Sequence, residues 1–193
     1  MNNRIKYAAI IVGILSSSAT MAAMSGTPVQ GGEATVNMIG HITATSCSAT
    51  IDATGQSFNL NRSDISKAVA GTNLAAPFST LTLKDCGDVQ LSAKVTASKR
   101  LDGDNMTGAL EGDKANVLGY TVGFSGNGVT GGTGDNHNVP VDGSSVTSRL
   151  LITPDSGDYK LKMITYVNRV GSSEVPPDIT ALTGNYNYSI TYF

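Results

Sequence analysis

Short segments in which apolar and polar residues alternate recur along the whole chain, and they constrain its fold more than any other feature. Alternation with a period of two places every second side chain on one face, as in a half-buried β-strand. The clearest case is residues 159–168, where two lysines precede a stretch that is apolar on both faces, as expected of a strand covered on both sides there. Further strands are predicted at 47–51, 57–61, 78–84, 89–98, 119–124, 148–153 and 186–193.

Turn-forming residues separate these segments. Asp-Gly, Asn-Gly and Gly-Gly pairs stand at 102–103, 127–128 and 131–132, and such pairs favour tight turns. The Gly- and Asn-rich stretch 123–145 is expected to be a solvated loop or an irregular hairpin. Only 64–70 suggests a helix, of one or two turns. Many short strands with almost no helix predict an all-β, antiparallel β-sandwich.

Size and charge exclude several classes of function. A chain of 193 residues is expected to form one domain, and its 40% hydrophobic content can fill a core. The formal net charge is −2, with 13 basic and 15 acidic residues. A nucleic-acid partner is therefore not expected, because binding to phosphates requires clustered Lys and Arg.

The first 22 residues have the pattern of a secretory signal peptide. Arg4 and Lys6 give a positive start, residues 7–15 are apolar or small, and small residues follow. Cleavage is predicted after Ala22, with Ala23 as the second candidate. The apolar run is too short to cross a bilayer, so the chain is expected to be exported in soluble form.

The residue types that carry chemistry are scarce. Export implies an oxidising compartment, so the two cysteines, Cys47 and Cys86, are predicted to form a disulfide. A catalytic or metal-binding thiol is the rival assignment, and it fits poorly with an exported chain that lacks a Cys-x-x-Cys pair. The histidines, His41 and His137, have no nucleophile or carboxylate at a catalytic spacing. No catalytic residue, metal ion or cofactor is expected.

After a polar, Gly-rich stretch at 23–32, which is expected to be mobile, a further period-two segment follows. Its polar face is interrupted by one apolar residue, Ile39, and its apolar face by one glycine, Gly40. Glycine inside a strand usually marks a close approach of another group, so a close approach is predicted at Gly40, with a tolerated weak spot in an edge strand as the alternative. The residues on the apolar face are Ala34, Val36, Met38, Gly40 and Ile42.

Three motifs together resemble the structural pilins of Gram-negative chaperone–usher fimbriae. The first is the alternating segment 35–42, followed by Cys47 seven residues after Gly40. The second is 78–86, which ends in Leu-x-x-Cys at Cys86. The third is the alternating C-terminal segment 186–193 with a penultimate tyrosine. Ile39, the pair of prolines at 176–177 and the Gly-rich loop depart from the family's pattern.

The resemblance implies an incomplete immunoglobulin-like β-sandwich that is completed by a donor strand from a neighbouring subunit. Residues 1–22 would be the signal peptide, 23–44 the N-terminal donor-strand extension and 45–193 the pilin domain. The donor strand would present the apolar face from Ala34 to Ile42. The C-terminal strand that faces the chaperone would carry Tyr186, Tyr188, Ile190, Tyr192 and Phe193.

The same resemblance implies a function. The chain would be a structural subunit, and by expectation the major one, of an adhesive surface fimbria that polymerises by donor-strand exchange. Its partners would be identical or related pilin subunits, a periplasmic chaperone, an outer-membrane usher and a host-surface receptor. It would pass through the periplasm to the cell surface. The alternatives are a minor or adaptor pilin and a secreted carbohydrate-binding β-sandwich module.

Overall fold

The alternating segments form two β-sheets that pack face to face. The computed structural model describes residues 32–43, 47–53, 55–145, 149–155, 157–175 and 181–193. The predicted signal peptide, its cleavage site and the proline pair at 176–177 lie outside these residues. The elements are β1 Gly32–Thr43, β2 Ser48–Ile51, β3 Gly55–Leu60, α1 Arg62–Lys67, β4 Asn73–Ala75, β5 Phe78–Lys84, β6 Leu91–Ala97, β7 Gly108–Ala109, β8 Leu118–Ser125, β9 Val129–Thr130, β10 Asn138–Val139, β11 Leu151–Ile152, β12 Asp158–Arg169 and β13 Ala181–Tyr192.

Strand order defines the two layers of the sandwich. The first sheet has the order β3-β1-β13-β6-β11-β9, and the second has the order β10-β8-β12-β5-β2. Strand β4 adds to β12, and β7 adds to β8. The pairs of these sheets are antiparallel, except that β1 runs parallel to β13. The all-β sandwich predicted from the sequence is confirmed.

Strand β12 shows how the sequence alternation builds the core. Its inward residues are buried, Lys160 and Lys162 are exposed, and from Ile164 onward the outward residues are half-buried. This change along the strand was predicted from its composition. The buried inward residues are Tyr159, Leu161, Met163, Thr165 and Val167.

Element boundaries differ from the predictions where local contacts decide them. The helix begins at Arg62 because the Asn61 side chain caps it, with its Oδ1 accepting the Ser63 N–H at 2.9 Å. The last strand begins at Ala181 and not at residue 186. Gly184 weakened the strand signal in the sequence, yet it is required there, since a β carbon at Gly184 would press on the Tyr120 ring.

The predicted disulfide is confirmed. Cys47 precedes β2 and Cys86 follows β5, and these two strands are neighbours in the second sheet. The two α carbons are 4.8 Å apart, and both residues are buried in the core. The bond therefore fixes the start of β2 against the end of β5. In the part of the chain that the structure describes, no helix has the length and hydropathy needed to cross a membrane.

Candidate functional site

Strand β1 lies between β3 and β13 in the first sheet. It pairs with β13 in parallel, in a register that runs from Glu33 opposite Ala181 to Thr43 opposite Thr191. On its other side its first half pairs with β3, from Gly32 opposite Leu60 to Asn37 opposite Gly55. We call the surface that β1 covers, formed by β3, β13 and the core side chains between them, the β1 groove. Strand β1 thus joins β3 to β13 within the first sheet.

Two inward side chains of β1 enter the hydrophobic core. Val36 and Met38 are buried, whereas Ile39, on the opposite face, is 62% exposed. These three placements agree with the predicted alternation. Ala34 lies opposite Leu182 and Ile42 opposite Ile190 in the register with β13. The use of these residues as a donor strand for another subunit stays a prediction.

A chain of hydrogen bonds lies beneath Met38. The hydroxyl of Tyr186 donates to the Met38 Sδ at 2.9 Å, and the Thr165 Oγ1 lies 3.0 Å from the same hydroxyl oxygen. All three side chains are buried. Burial raises the pKa of the Tyr186 phenol well above its usual value, although the hydrogen bond with Thr165 acts in the opposite direction. The phenol is therefore neutral and can donate.

The close approach predicted at Gly40 is present, and the approaching group is Tyr188 of the same chain. The two residues are register partners on β1 and β13. A β carbon at Gly40 would overlap the tip of the Tyr188 ring. Burial also raises the pKa of the Tyr188 phenol. The effect of Gly40 on donation to another subunit stays a prediction.

Gln56 connects the groove wall to the second sheet, and the sequence analysis missed it. Its amide Nε2 donates to the Ser79 Oγ and to the Met163 carbonyl oxygen, both at 3.2 Å. Within the described residues its buried Oε1 has no hydrogen-bond partner. The signal was available, since Gln56 shares the inward register with Phe58 and Leu60 in β3.

The direction of β1 follows from the covalent connection to the second sheet. Only three residues separate Thr43 from Cys47, and four residue steps span at most about 14 Å. Cys47 is bonded to Cys86, and the Cys86 carbonyl oxygen accepts a hydrogen bond from the Val89 N–H. The next residue, Gln90, accepts the Phe193 N–H with its carbonyl oxygen at 2.9 Å. Cys47 and the C-terminal end of β13 are therefore at the same end of the sandwich.

A reversed β1 would bring Thr43 to the other end of the groove. Eleven steps of a strand cover about 36 Å, which is more than twice the reach of the connection. The chain's own N-terminal strand can therefore fill the groove only in the direction parallel to β13. A strand from another molecule has no such tether.

The C-terminal strand places its five predicted residues in two groups. Tyr186, Tyr188 and Ile190 are buried and form the floor of the β1 groove beside β1. Tyr192 is 38% exposed and Phe193 is 62% exposed at the end of the strand. The guanidinium of Arg149 lies 5.0 Å from the centre of the Phe193 ring. A chaperone-facing role for these residues stays a prediction.

Polar side chains in the loops have local structural roles. The Asp104 Oδ1 accepts the Met106 N–H at 2.7 Å in a turn, and the His137 Nδ1 lies 2.7 Å from the Gly131 carbonyl oxygen. Hydrogen bonds from Ser144 lower the pKa of the half-buried Asp142 carboxyl. Among the described residues, His, Cys, Asp and Glu do not gather in groups of three or more that could bind a metal ion.

Comparison with known proteins identifies the class of fold. No protein-family model matches the sequence, and no curated protein matches it. Among solved structures, the chain is similar to the crystal structure of the P pilus rod subunit PapA, with a TM-score of 0.54 and 18% sequence identity. The alignment covers 77% of this chain and 100% of that chain. The fold is thus pilin-like, and the predicted immunoglobulin-like β-sandwich is confirmed.

Proposed function

We propose that this protein is a structural subunit of a surface fimbria and that it polymerises by exchanging β1 between subunits. The observation that carries the proposal is the position of β1. It is a strand at the beginning of the described chain, and it fills a groove between β3, which follows it closely in sequence, and β13, which is distant in sequence. Such a strand can be replaced by the same segment of a second copy.

The energetics of the groove favour a durable joint. Burial of Val36 and of Met38 contributes roughly 1.5–3 kcal/mol each. The main-chain hydrogen bonds to β13 and β3 add about 0.5–1.5 kcal/mol each. Strand addition of this kind combines backbone pairing with side-chain pockets for alternate residues. Dissociation of an inserted strand would be slow.

An unfilled β1 groove would be hazardous for the subunit. Removal of β1 would expose the unpaired edges of β3 and β13 and the apolar floor between them, and such edges promote aggregation. The groove must therefore be covered at each stage. We infer that β1 itself, a periplasmic chaperone and the N-terminal strand of the next subunit are successive occupants, with an outer-membrane usher as the site of exchange.

The proposed partners and location follow from this assembly. Other pilin subunits are the direct partners, and the fimbria would carry the protein to the cell surface. The exposed end of β13, with Tyr192 and Phe193, is the surface we assign to the chaperone. If the rod consists mainly of this chain, the protein is the major subunit. If other subunits form most of the rod, it is a minor or adaptor subunit.

Electron microscopy of the purified chain that lacks residues 1–22 tests the proposal. We expect filaments from the unsubstituted chain and from Thr35→Asp, whose side chain is exposed. We expect none from Val36→Asp, since a carboxylate cannot be buried at that position. The two variants add the same charge to neighbouring residues of β1, so only the face of the strand differs.

A synthetic peptide of residues 32–43 makes the result interpretable if Val36→Asp fails to fold. The peptide should restore a folded monomer by filling the β1 groove, and it should not restore filaments. Filaments from Val36→Asp would refute the exchange mechanism. A wild-type chain that takes up the peptide but never forms filaments would refute the role of polymer subunit.

A further inference from the structure

Two buried hydroxyl groups face the strand in the β1 groove. The oxygens of Thr165 and Tyr186 are 3.0 Å apart, and each hydroxyl has one proton to donate. One hydroxyl can donate its proton to the oxygen of the other, so the pair provides an acceptor for only one of the two protons. The second proton needs an acceptor from elsewhere.

The acceptor is supplied by the inserted strand. Thr165 can donate to the Tyr186 oxygen, and Tyr186 donates to the Met38 Sδ at 2.9 Å, which satisfies both protons. Apart from the two hydroxyl groups themselves, the acceptor within hydrogen-bond distance of this pair among the described residues is the Met38 sulfur. An aliphatic side chain at position 38 would leave one buried hydroxyl without a partner, and such a group destabilises a protein.

We propose that the Thr165–Tyr186 pair selects the strand that fills the β1 groove by requiring a hydrogen-bond acceptor at the position of Met38. The occupant to which we assign this selection is the N-terminal strand of a second copy of this chain, inserted parallel to β13 in the register that β1 has in the structure. The inference rests on the proposed function, because it concerns which strands can enter during assembly. Selection would favour this strand over an equally apolar strand with leucine at that position.

The same contact would also set the register of the strand. A slip of two residues keeps the same face inward and brings Val36 or Gly40 over the Tyr186 hydroxyl. Neither residue has a side-chain atom that can accept a hydrogen bond. Two successive inward positions therefore specify the register. Met38 provides the acceptor for Tyr186, and Gly40 leaves room for the ring of Tyr188.

A double-mutant cycle in the full chain measures the contact. Met38→Leu should reduce the ratio of folded to unfolded protein about fivefold more with Tyr186 present than in the Tyr186→Phe background. Denaturant unfolding gives the four values. Thr165→Val should leave the coupling between Met38 and Tyr186 in place, because the phenol then depends on the sulfur alone. Val36→Ala, in the same strand, is the control and should show no coupling to Tyr186→Phe.

Peptide competition tests selection directly. Peptides of residues 32–43 with Met38 or with Met38→Leu compete for the wild-type chain, and the Met38 peptide should be favoured several-fold. The preference should disappear in the Tyr186→Phe chain. Equal uptake by the wild-type chain, or zero coupling in the cycle, would overturn the inference. Filaments from the wild-type chain would still support the proposed function in that case, so the two failures are distinguishable.

Discussion

The ring of Tyr188 lies against the backbone of Gly40, its register partner on the parallel strand β1. Because Gly40 has no side chain, the ring of Tyr188 can occupy the space beside it. The ring in turn covers the backbone of β1 at that position. Such pairs of an aromatic residue and a glycine help to fix strand register. A β carbon at position 40 would overlap the buried ring of Tyr188, so the ring would have to move.

Gly40→Ala should destabilise the folded chain by about 1–3 kcal/mol, because the ring of Tyr188 must move to admit the β carbon. Gly55→Ala in β3 is the matched control. A β carbon at Gly55 meets only ordinary contacts at 3.8 Å or more, so it should have little effect. Denaturant unfolding of both variants measures the difference, and equal stabilities would contradict the role assigned to Tyr188.

The sequence predicted the strands better than it predicted the contacts of the groove. Segments such as Phe78–Lys84 were found with their boundaries because alternation is a local property of the chain. The contact between Tyr186 and Met38 joins residues 148 positions apart, and nothing local specifies it. The parallel direction of β1 was also beyond the pattern, because a period of two is the same in both directions. It depends on the short link from Thr43 to the disulfide.

Removal of the disulfide should strongly weaken the fold. For a separation of 39 residues between Cys47 and Cys86, loop-closure entropy predicts a loss on the order of 4 kcal/mol. Cys47→Ala combined with Cys86→Ala avoids unpaired thiols, and both sites are buried, so alanine introduces no polar group. The denaturation midpoint of this variant should fall well below that of the oxidised wild type. An unchanged midpoint would show that β2 and β5 do not need the bond.

Alkaline pH should destabilise the fold through its buried tyrosines. Burial raises the pKa of both Tyr120 and Tyr186, so in the folded state the phenols keep their protons above pH 10, where those of the unfolded chain dissociate. The unfolded state then binds fewer protons, and the free energy of unfolding falls as the pH rises past about 10. Tyr186→Phe should show a shallower fall. Identical pH profiles for the two proteins would contradict this assignment.

Truncation of the C terminus should separate folding from chaperone binding. Tyr192 and Phe193 are partly exposed at the end of β13, so their deletion should leave the folded core largely intact. It should abolish co-purification with the proposed chaperone, because it removes the exposed end of the strand that we assign to that partner. Arg149→Ala, which only frees the Phe193 ring, is the control and should still co-purify. A stable complex with the truncated chain would refute the assignment.

The structure also predicts how fast a groove filled by its own strand accepts another strand. The β1 groove is occupied, so an incoming peptide of residues 32–43 must wait until β1 leaves. Uptake should therefore reach a rate that no longer rises with peptide concentration. Val36→Ala in the full chain removes buried contacts of β1 and leaves the groove unchanged, so this limiting rate should increase about tenfold for a loss of about 1.4 kcal/mol.

Thr35→Ala is the matched control for this measurement, since the side chain at that position is exposed and its removal should leave the limiting rate unchanged. Fluorescence from a labelled wild-type peptide gives the rate for all three chains. The tether supports the same expectation, because a connection of three residues keeps β1 close to the groove and favours its return over entry of a second strand. A rate proportional to peptide concentration throughout, and equal in the Val36→Ala chain, would mean that strands enter without prior release of β1.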